Sequence, residues 1–434
     1  MAQNAAHVLP MAHISTDSRT LRGFVPALLL LSLAILINYV DRGNLSTAAP
    51  LLKDELHISA SQLGVLFSAF FVTYTTFIFV SGWLVDRFDV NWVLAAGFAI
   101  WSVATAATGV VQGFAMLFAM RLLLGMGESV AFPAVSKILA YRLPEEYRGF
   151  ANGVIVAGMK AGPAVGTFGA GLLMAKYGWR GVFIGIGLAS LMWLPAWMKW
   201  KPANERPAGG AKSSGPQVMD ILQHRSFWGA TLGHFCGNYA LYFMVTWLPL
   251  YLVRERGLSM QAMAKTAGAY YLVDAAACLA TGWLTDFFIR HGHSVTLVRK
   301  SAMTIGPVIL AIGLMGCALA GSQSYLAWLM ILGVGMGIGG AGIFAFSQTL
   351  AGPFAAGRWS GLQNGTANVA GIVSPAVAGL VVDWTGHFTM ALVITAIVTL
   401  IGAAGWTLVV GELKEIAWNP AGVAAHEVPL PTNT

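Results

Sequence analysis

Apolar runs of about 20 residues recur along the whole chain, each long enough to cross a lipid bilayer as a helix. This repetition leaves few folds open. In hydrocarbon every backbone N–H and C=O must be bonded internally, so only helices and closed barrels span. A barrel would read as short alternating segments, which are not seen here. The chain is therefore expected to be an all-α membrane protein. Charge content agrees: 10% of the 434 residues are charged, against about 25% in soluble globular chains, and mean hydropathy is +0.69.

The runs predict spans near 22–48, 60–82, 92–112, 115–140, 150–174 and 180–199, then near 227–252, 262–285, 298–319, 325–349, 359–383 and 387–410. A Pro-, Gly-, Ser- and charge-rich stretch at 200–226 reads as a linker. The expected organisation is a tail at 1–21, a six-helix bundle at 22–199, the linker, a second six-helix bundle at 227–410 and a tail at 411–434. The first 20 residues lack the pattern of a cleaved signal peptide, so the first span is expected to be retained. The halves echo each other. "GWLVD" at 82–86 returns as "GWLTD" at 282–286, and "RGFANG" at 148–153 has a weaker echo in "WSGLQNG" at 359–365. In each half a proline, Pro163 or Pro375, follows ten residues after the last glycine. Paired six-helix halves are a transporter architecture, with the substrate held at the midplane.

With both termini inside, sixteen of the 25 Lys and Arg fall on inner loops and tails and six on outer loops. That bias predicts cytoplasmic termini. It also accounts for the net charge of +7 without nucleic acid. Cys236, Cys278 and Cys317 sit in apolar runs with no metal or disulfide spacing, and read as small core residues. No nucleophile motif, metal cluster or phosphate loop is evident, so no enzyme and no cofactor is expected. "GVGMGIGG" at 333–340 reads as a glycine-rich helix face.

Charges stand where charge is costly. Asp41, Arg42, Arg121, Glu128 and Lys160 all fall inside predicted spans of the first half. Each costs at least about 2.5–3.5 kcal/mol at a bilayer centre, so they must face a bundle interior or a wet cavity and pair. Arg121 and Glu128, seven apart, share a helix face; Asp41 and Arg42 point about 100° apart. One reading is static salt bridges that fix helix register. The other is transport chemistry: a guanidinium grips a carboxylate or sulfonate, and burial favours the protonated form of a carboxyl group. Lys160 is either a second anion ligand or a partner of Asp41 or Glu128. Asp274 lines the inner vestibule or bonds a neighbouring hydroxyl, or else is a further proton site or a cation contact. Tyr39, Tyr74, Asn238, Tyr239, Tyr242, Ser347, Gln348, Asn364 and Asn368 are polar groups in apolar spans, able to bind a ligand or to join helices. His224, His291 and His293 read as solvated, with His234 a candidate for the cavity.

These pieces resemble the major facilitator superfamily. "GWLVDRF" at 82–88 is similar to its signature between the second and third helices, with Asp86 and Arg87 matching as a gating loop. Asp89, Val90 and Asn91 replace the usual Gly-Arg-Arg. Within the superfamily, "NYVDRGNLS", "RLLLGMGESVAFPA", "PEEYRGFANG", "WLPLYL" and "NGTANVAGIVSPAVAG" resemble the anion:cation symporter branch, which holds galactonate, hexuronate and glucarate permeases and sialin. The resemblance implies that Arg42, Tyr74 and Asn368 contact the anion. It implies that Asp41 and Glu128 carry protons and that Arg121 couples them. It further implies a monomer in a bacterial inner membrane, with a small organic anion and protons, or sodium, as partners. Lys160 departs from the polar neutral residue usual in that branch, and suggests a ligand with a second negative group or a compact sulfonate. An efflux antiporter of the same fold is the alternative; a non-transporting sensor would usually bring a soluble signalling domain.

Overall fold

The computed structural model describes residues 18–143, 145–202, 216–319, 321 and 324–418. Residues 1–17 of the expected N-terminal tail, 203–215 of the linker and 419–434 of the C-terminal tail lie outside the described residues. The rest is almost wholly helical. In the first half the helices are α1 (Ser18–Leu56), α2 (Ala60–Arg87), α3 (Val90–Thr108), α4 (Phe114–Glu128), α5 (Ala131–Arg142), α6 (Glu145–Leu191) and α7 (Trp193–Trp200). After a short α8 (Val218–Leu222) come α9 (Arg225–Arg254), α10 (Met260–Arg290), α11 (Val295–Leu319), α12 (Tyr325–Gly340), α13 (Ile343–Asn368), α14 (Ala370–Thr385) and α15 (Thr389–Ala404).

Among the described residues eleven continuous helical stretches are long and apolar enough to span a membrane. One of them, Ala151–Trp200, is broken at Gly178. There φ is 73° and ψ 167°, a conformation open to glycine and costly for other residues. The break makes two crossings of it, so the chain crosses twelve times. Gly352 does the same inside α13, at φ 65°. The fourth, tenth and eleventh expected spans are each interrupted: after Glu128, after Gly340 and after Asn368.

Local signals set several boundaries. Ser59 caps α2 in a reciprocal box with Gln62, the backbone N–H of Gln62 donating to the Ser59 hydroxyl at 3.1 Å and Ser59 N–H to Gln62 Oε1 at 2.8 Å. Asp89 caps α3 by accepting from Asn91 N–H at 2.8 Å. The residues that depart from the superfamily signature thus start a helix. The Asp86 side chain is outside the described set; Arg87 is exposed.

The halves meet at the end of the bundle remote from the termini. There one apolar core runs through both halves and joins Leu52, Leu63 and Phe67 to Trp247, Met263 and Val382. Phe67 packs edge-on to Trp247 with ring centroids 5.5 Å apart. Contact between α2 and α14 is close enough that a Cβ on Gly64 would lie 2.5 Å from the Pro375 carbonyl oxygen. Asp383 of α14 accepts from the free N–H groups of Ala60 at 2.9 Å and Ser61 at 2.7 Å, at the start of α2. Arg254 pairs with Asp54 nearby. Toward the terminal face Phe24, Phe98, Trp101 and Trp197 belong to a core that is mostly first-half and reaches Tyr239, Tyr242 and Ala370 of the second, while Phe227, Phe346, Trp359 and Trp406 form a separate core within the second half. The molecule is closed at the remote end and divided at the other.

Candidate functional site

The buried charges gather where the two halves begin to part. Arg42 on α1 donates from Nε to Glu128 Oε2 on α4 at 3.0 Å, with Arg42 6% and Glu128 0% exposed. An unpaired ion in such surroundings carries several kcal/mol of desolvation cost, so each stabilises the other. Three rings surround the guanidinium: Tyr39 at 4.7 Å, Phe70 at 5.2 Å and Tyr74 at 4.4 Å from their centroids. Phe70 and Tyr74 stack on each other one helical turn apart. Ring faces attract a cation, so this cage holds Arg42 in place. Among the described residues Arg42 Nη2 and Glu128 Oε1 have no hydrogen-bond partner.

Asp41, next in the chain, turns away from Arg42 as the helical angle requires. Its Oδ1 accepts from Asn44 Nδ2 at 3.1 Å, and Thr105 of α3 stands close by. Oδ2 has no hydrogen-bond partner among the described residues. Arg121 is buried beside Phe70, 4.8 Å from its centroid, and donates from Nε to the Leu66 carbonyl at 3.3 Å. The sequence reading made Arg121 the partner of the acids. In the structure Arg42 holds Glu128, and no carboxylate pairs with Arg121 among the described residues.

Lys160 resolves differently from the expectation. It reaches neither Asp41 nor Glu128 but crosses to the other half, where Nζ lies 3.6 Å from Asp274 Oδ1. Glu128 is held by Arg42. Asp274, on α10, is the nearer acid because α6 and α10 pack face to face along their remote ends.

A cavity of about 80 Å³ lies among these groups. Tyr39, Arg42, Phe70, Phe71, Arg121, Met159, Lys160 and Pro163 line it from the first half. Leu241, Tyr242, Val245, Thr246, Tyr271 and Asp274 line it from the second. At roughly 10–15 Å³ per probe-sized water it has room for several waters or a few heavy atoms. Tyr242 donates its hydroxyl to Asn368 Oδ1 at 2.5 Å, and Asn368 Nδ2 donates to the Asn364 carbonyl at 2.8 Å. Asn368 thus stands behind Tyr242.

Other candidates lie off this cavity wall. Ser347 donates to the Ile343 carbonyl and to Gln363 Oε1, in a cluster with His234 and Trp359. Gln348 is exposed on the next face, and Asn238 is buried on α9 without lining the cavity. Tyr239 offers its carbonyl to Ser374. Cys236, Cys278 and Cys317 are free thiols. Phe70, Thr246 and Tyr271 were missed from the sequence. Helical spacing marks two of them, since Thr246 follows Tyr242 by four residues and Tyr271 precedes Asp274 by three.

The lining carries three bases, Arg42, Arg121 and Lys160, and one acid, Asp274; buried beside it, Glu128 paired with Arg42 and Asp41 next to Arg42 in the chain make three acids. Fully ionised, the group is neutral. An anion that enters makes it negative, and a proton on one acid restores neutrality.

A family model described as Major Facilitator Superfamily matches residues 31–297. The chain is 30% identical to a hexuronate transporter of Bacillus subtilis over 93% of its length and 97% of that protein. It is 28% identical to a probable sulfoacetate transporter of Cupriavidus necator over 92% and 97%. In structure it is similar to a bacterial homolog of the human lysosomal transporter Spinster, solved in an inward-facing, occupied conformation. The TM-score is 0.78 at 17% identity, covering 91% of this chain and 97% of that one.

Proposed function

The chain belongs to the Major Facilitator Superfamily, and on that footing we propose that it imports a small organic anion together with protons, by alternating access between its two halves. The buried Arg42–Glu128 pair, of which Arg42 lines the shared cavity, carries this reading. Arg42 lines the cavity and is held by one carboxylate, and its buried Nη2 has no hydrogen-bond partner among the described residues. A proton on Glu128 removes the internal counter-charge, and a carboxylate or sulfonate of the cargo takes its place. Proton and anion then bind together because neither leaves a net charge in a low-dielectric chamber.

The cycle follows from this balance. With the halves parted at the remote end, the anion meets Arg42, with Tyr39, Tyr74 and Arg121 beside it and Tyr242, backed by Asn368, on the opposite wall. Asp41 or Glu128 takes up the proton that balances the anion. The neutral, loaded chamber closes, and the halves part at the terminal face, the arrangement seen here. Asp86 and Arg87 are proposed to secure that face when it closes. Relatives named for hexuronate and sulfoacetate support an organic acid as cargo. We place the protein in a bacterial inner membrane as a monomer with cytoplasmic termini, in line with the basic-residue bias.

The test is uptake by liposomes holding the purified protein, with glucuronate and sulfoacetate as probes and an inward proton gradient imposed. Accumulation should collapse with an uncoupler and with Asp41→Asn. Accumulation that persists through both would reject proton coupling; efflux as the favoured direction would reject import.

A further inference from the structure

The Lys160–Asp274 pair has no role in the cycle just described, yet it spans the two halves at the cavity. Lys160 sits on α6 and Asp274 on α10, and the side chains are 26% and 7% exposed. Toward the remote end from this pair the two helices are tightly packed: a Cβ on Gly171 would lie 2.6 Å from the Ala264 Cβ, and one on Gly268 would lie 3.2 Å from the Phe168 Cβ. Toward the terminal face they diverge, leaving Val156 and Leu279 exposed. The pair therefore stands at the fork. Its 3.6 Å separation is longer than a hydrogen bond, and Asp274 Oδ1 has no hydrogen-bond partner among the described residues. The lysine end faces the cavity and is loosely held.

Other groups near Asp274 do not compete for this role. Tyr270, Tyr271 and Cys278 flank it on its own helix. From α12, whose sole titratable side chain is Tyr325, it meets the backbone at Gly337. From α9 come Tyr242 and Thr246, and across the cavity Arg42 and Arg121. Lys160 is the charged side chain in ion-pair reach.

We infer that Lys160 is the seat for a second acidic group on the cargo, and that Asp274 is the acid whose protonation vacates it. This rests on the anion-import reading and adds a substrate class: dianions, either dicarboxylates or carboxylate-sulfonates. A monoanion needs one proton to keep the chamber neutral, supplied by the Arg42 side. A dianion brings a second charge to Lys160 and displaces Asp274, whose carboxylate must then take a second proton from the water of the entry side and release it on the exit side. No bond other than O–H forms or breaks.

D-Glucarate and D-gluconate, which differ by one carboxylate on the same carbon skeleton, serve as probes in liposomes holding the full chain. Wild type should move two protons with each glucarate and one with each gluconate. Asp274→Asn should lower the first count to one. Lys160→Gln should weaken glucarate binding by roughly tenfold or more, the worth of a charge-assisted contact, and gluconate binding by less. If a single neutralisation misfolds, the double variant Lys160→Gln/Asp274→Asn leaves neither charge stranded, and should lose the preference for glucarate over gluconate. Equal proton counts in wild type, equal losses for the two probes, or a retained glucarate preference in the double variant would overturn the assignment and leave anion import standing. Failure of wild type to bind any organic anion would overturn both.

Discussion

Replacing Glu128 by glutamine tests the central pair. The change keeps side-chain volume and an acceptor oxygen for Arg42 Nε, which Glu128 now meets at 3.0 Å, but removes the counter-charge. Breaking a buried ion pair costs about 3–5 kcal/mol when a charge is left uncompensated. Arg42 retains its three ring contacts at 4.4–5.2 Å, each worth about 0.5–2 kcal/mol, and borders the cavity. A net loss of about 2 kcal/mol is the reasonable figure for the empty protein. An incoming anion restores the counter-charge, so the same energy returns on binding. Affinity near neutral pH should therefore rise by up to about 30-fold, and its pH dependence should flatten. In wild type the direction is fixed by the mechanism: protonating Glu128 frees Arg42, so anion binding tightens as pH falls. Calorimetric titration of glucuronate and sulfoacetate against both proteins measures this, with thermal unfolding in detergent as the check on fold. A folded variant that binds these anions no better than wild type, with unchanged pH dependence, would refute the reasoning.

Arg42→Lys should cut uptake by tenfold or more while leaving the protein folded, because an ammonium lacks the planar fork that can hold Glu128 and a carboxylate together; initial uptake rates and unfolding curves report the two effects. Asp383→Ala removes the acceptor of two N–H groups at the start of α2. It should cost the closed remote end about 1 kcal/mol, or about fivefold in the opening equilibrium, read as faster alkylation of a cysteine placed at Leu63. Gly64→Ala drives a methyl group against the Pro375 carbonyl. Overpacking of this kind costs about 1–3 kcal/mol, so it should favour the open remote end more strongly than Asp383→Ala in the same assay and slow turnover.

The closed remote end has a division of labour. Apolar contacts around Phe67 and Trp247 supply area, and small residues let α2 and α14 approach. Asp383 and the Arg254–Asp54 pair add polar contacts that can break and reform at the water boundary. Such exposed pairs are individually weak, which suits an interface that must open once in every cycle.

Fold class was legible because membrane insertion is a local cost, paid helix by helix. Twelve crossings and buried charges in the first half could be read from hydropathy, and an intramembrane ion announces that it needs a partner. Which partner it finds was not legible. Arg42 and Glu128 are 86 residues apart, and Lys160 and Asp274 belong to different halves. Their meeting depends on how each helix is rotated and on where the halves touch. Rotation explains why Tyr39 and Tyr242 line the cavity while Ser347 and Gln348, on equally polar stretches, turn elsewhere. Side-chain chemistry can be read one residue at a time, whereas pairing is set by the packing of many small and apolar residues at once, and so emerged only when the helices were assembled.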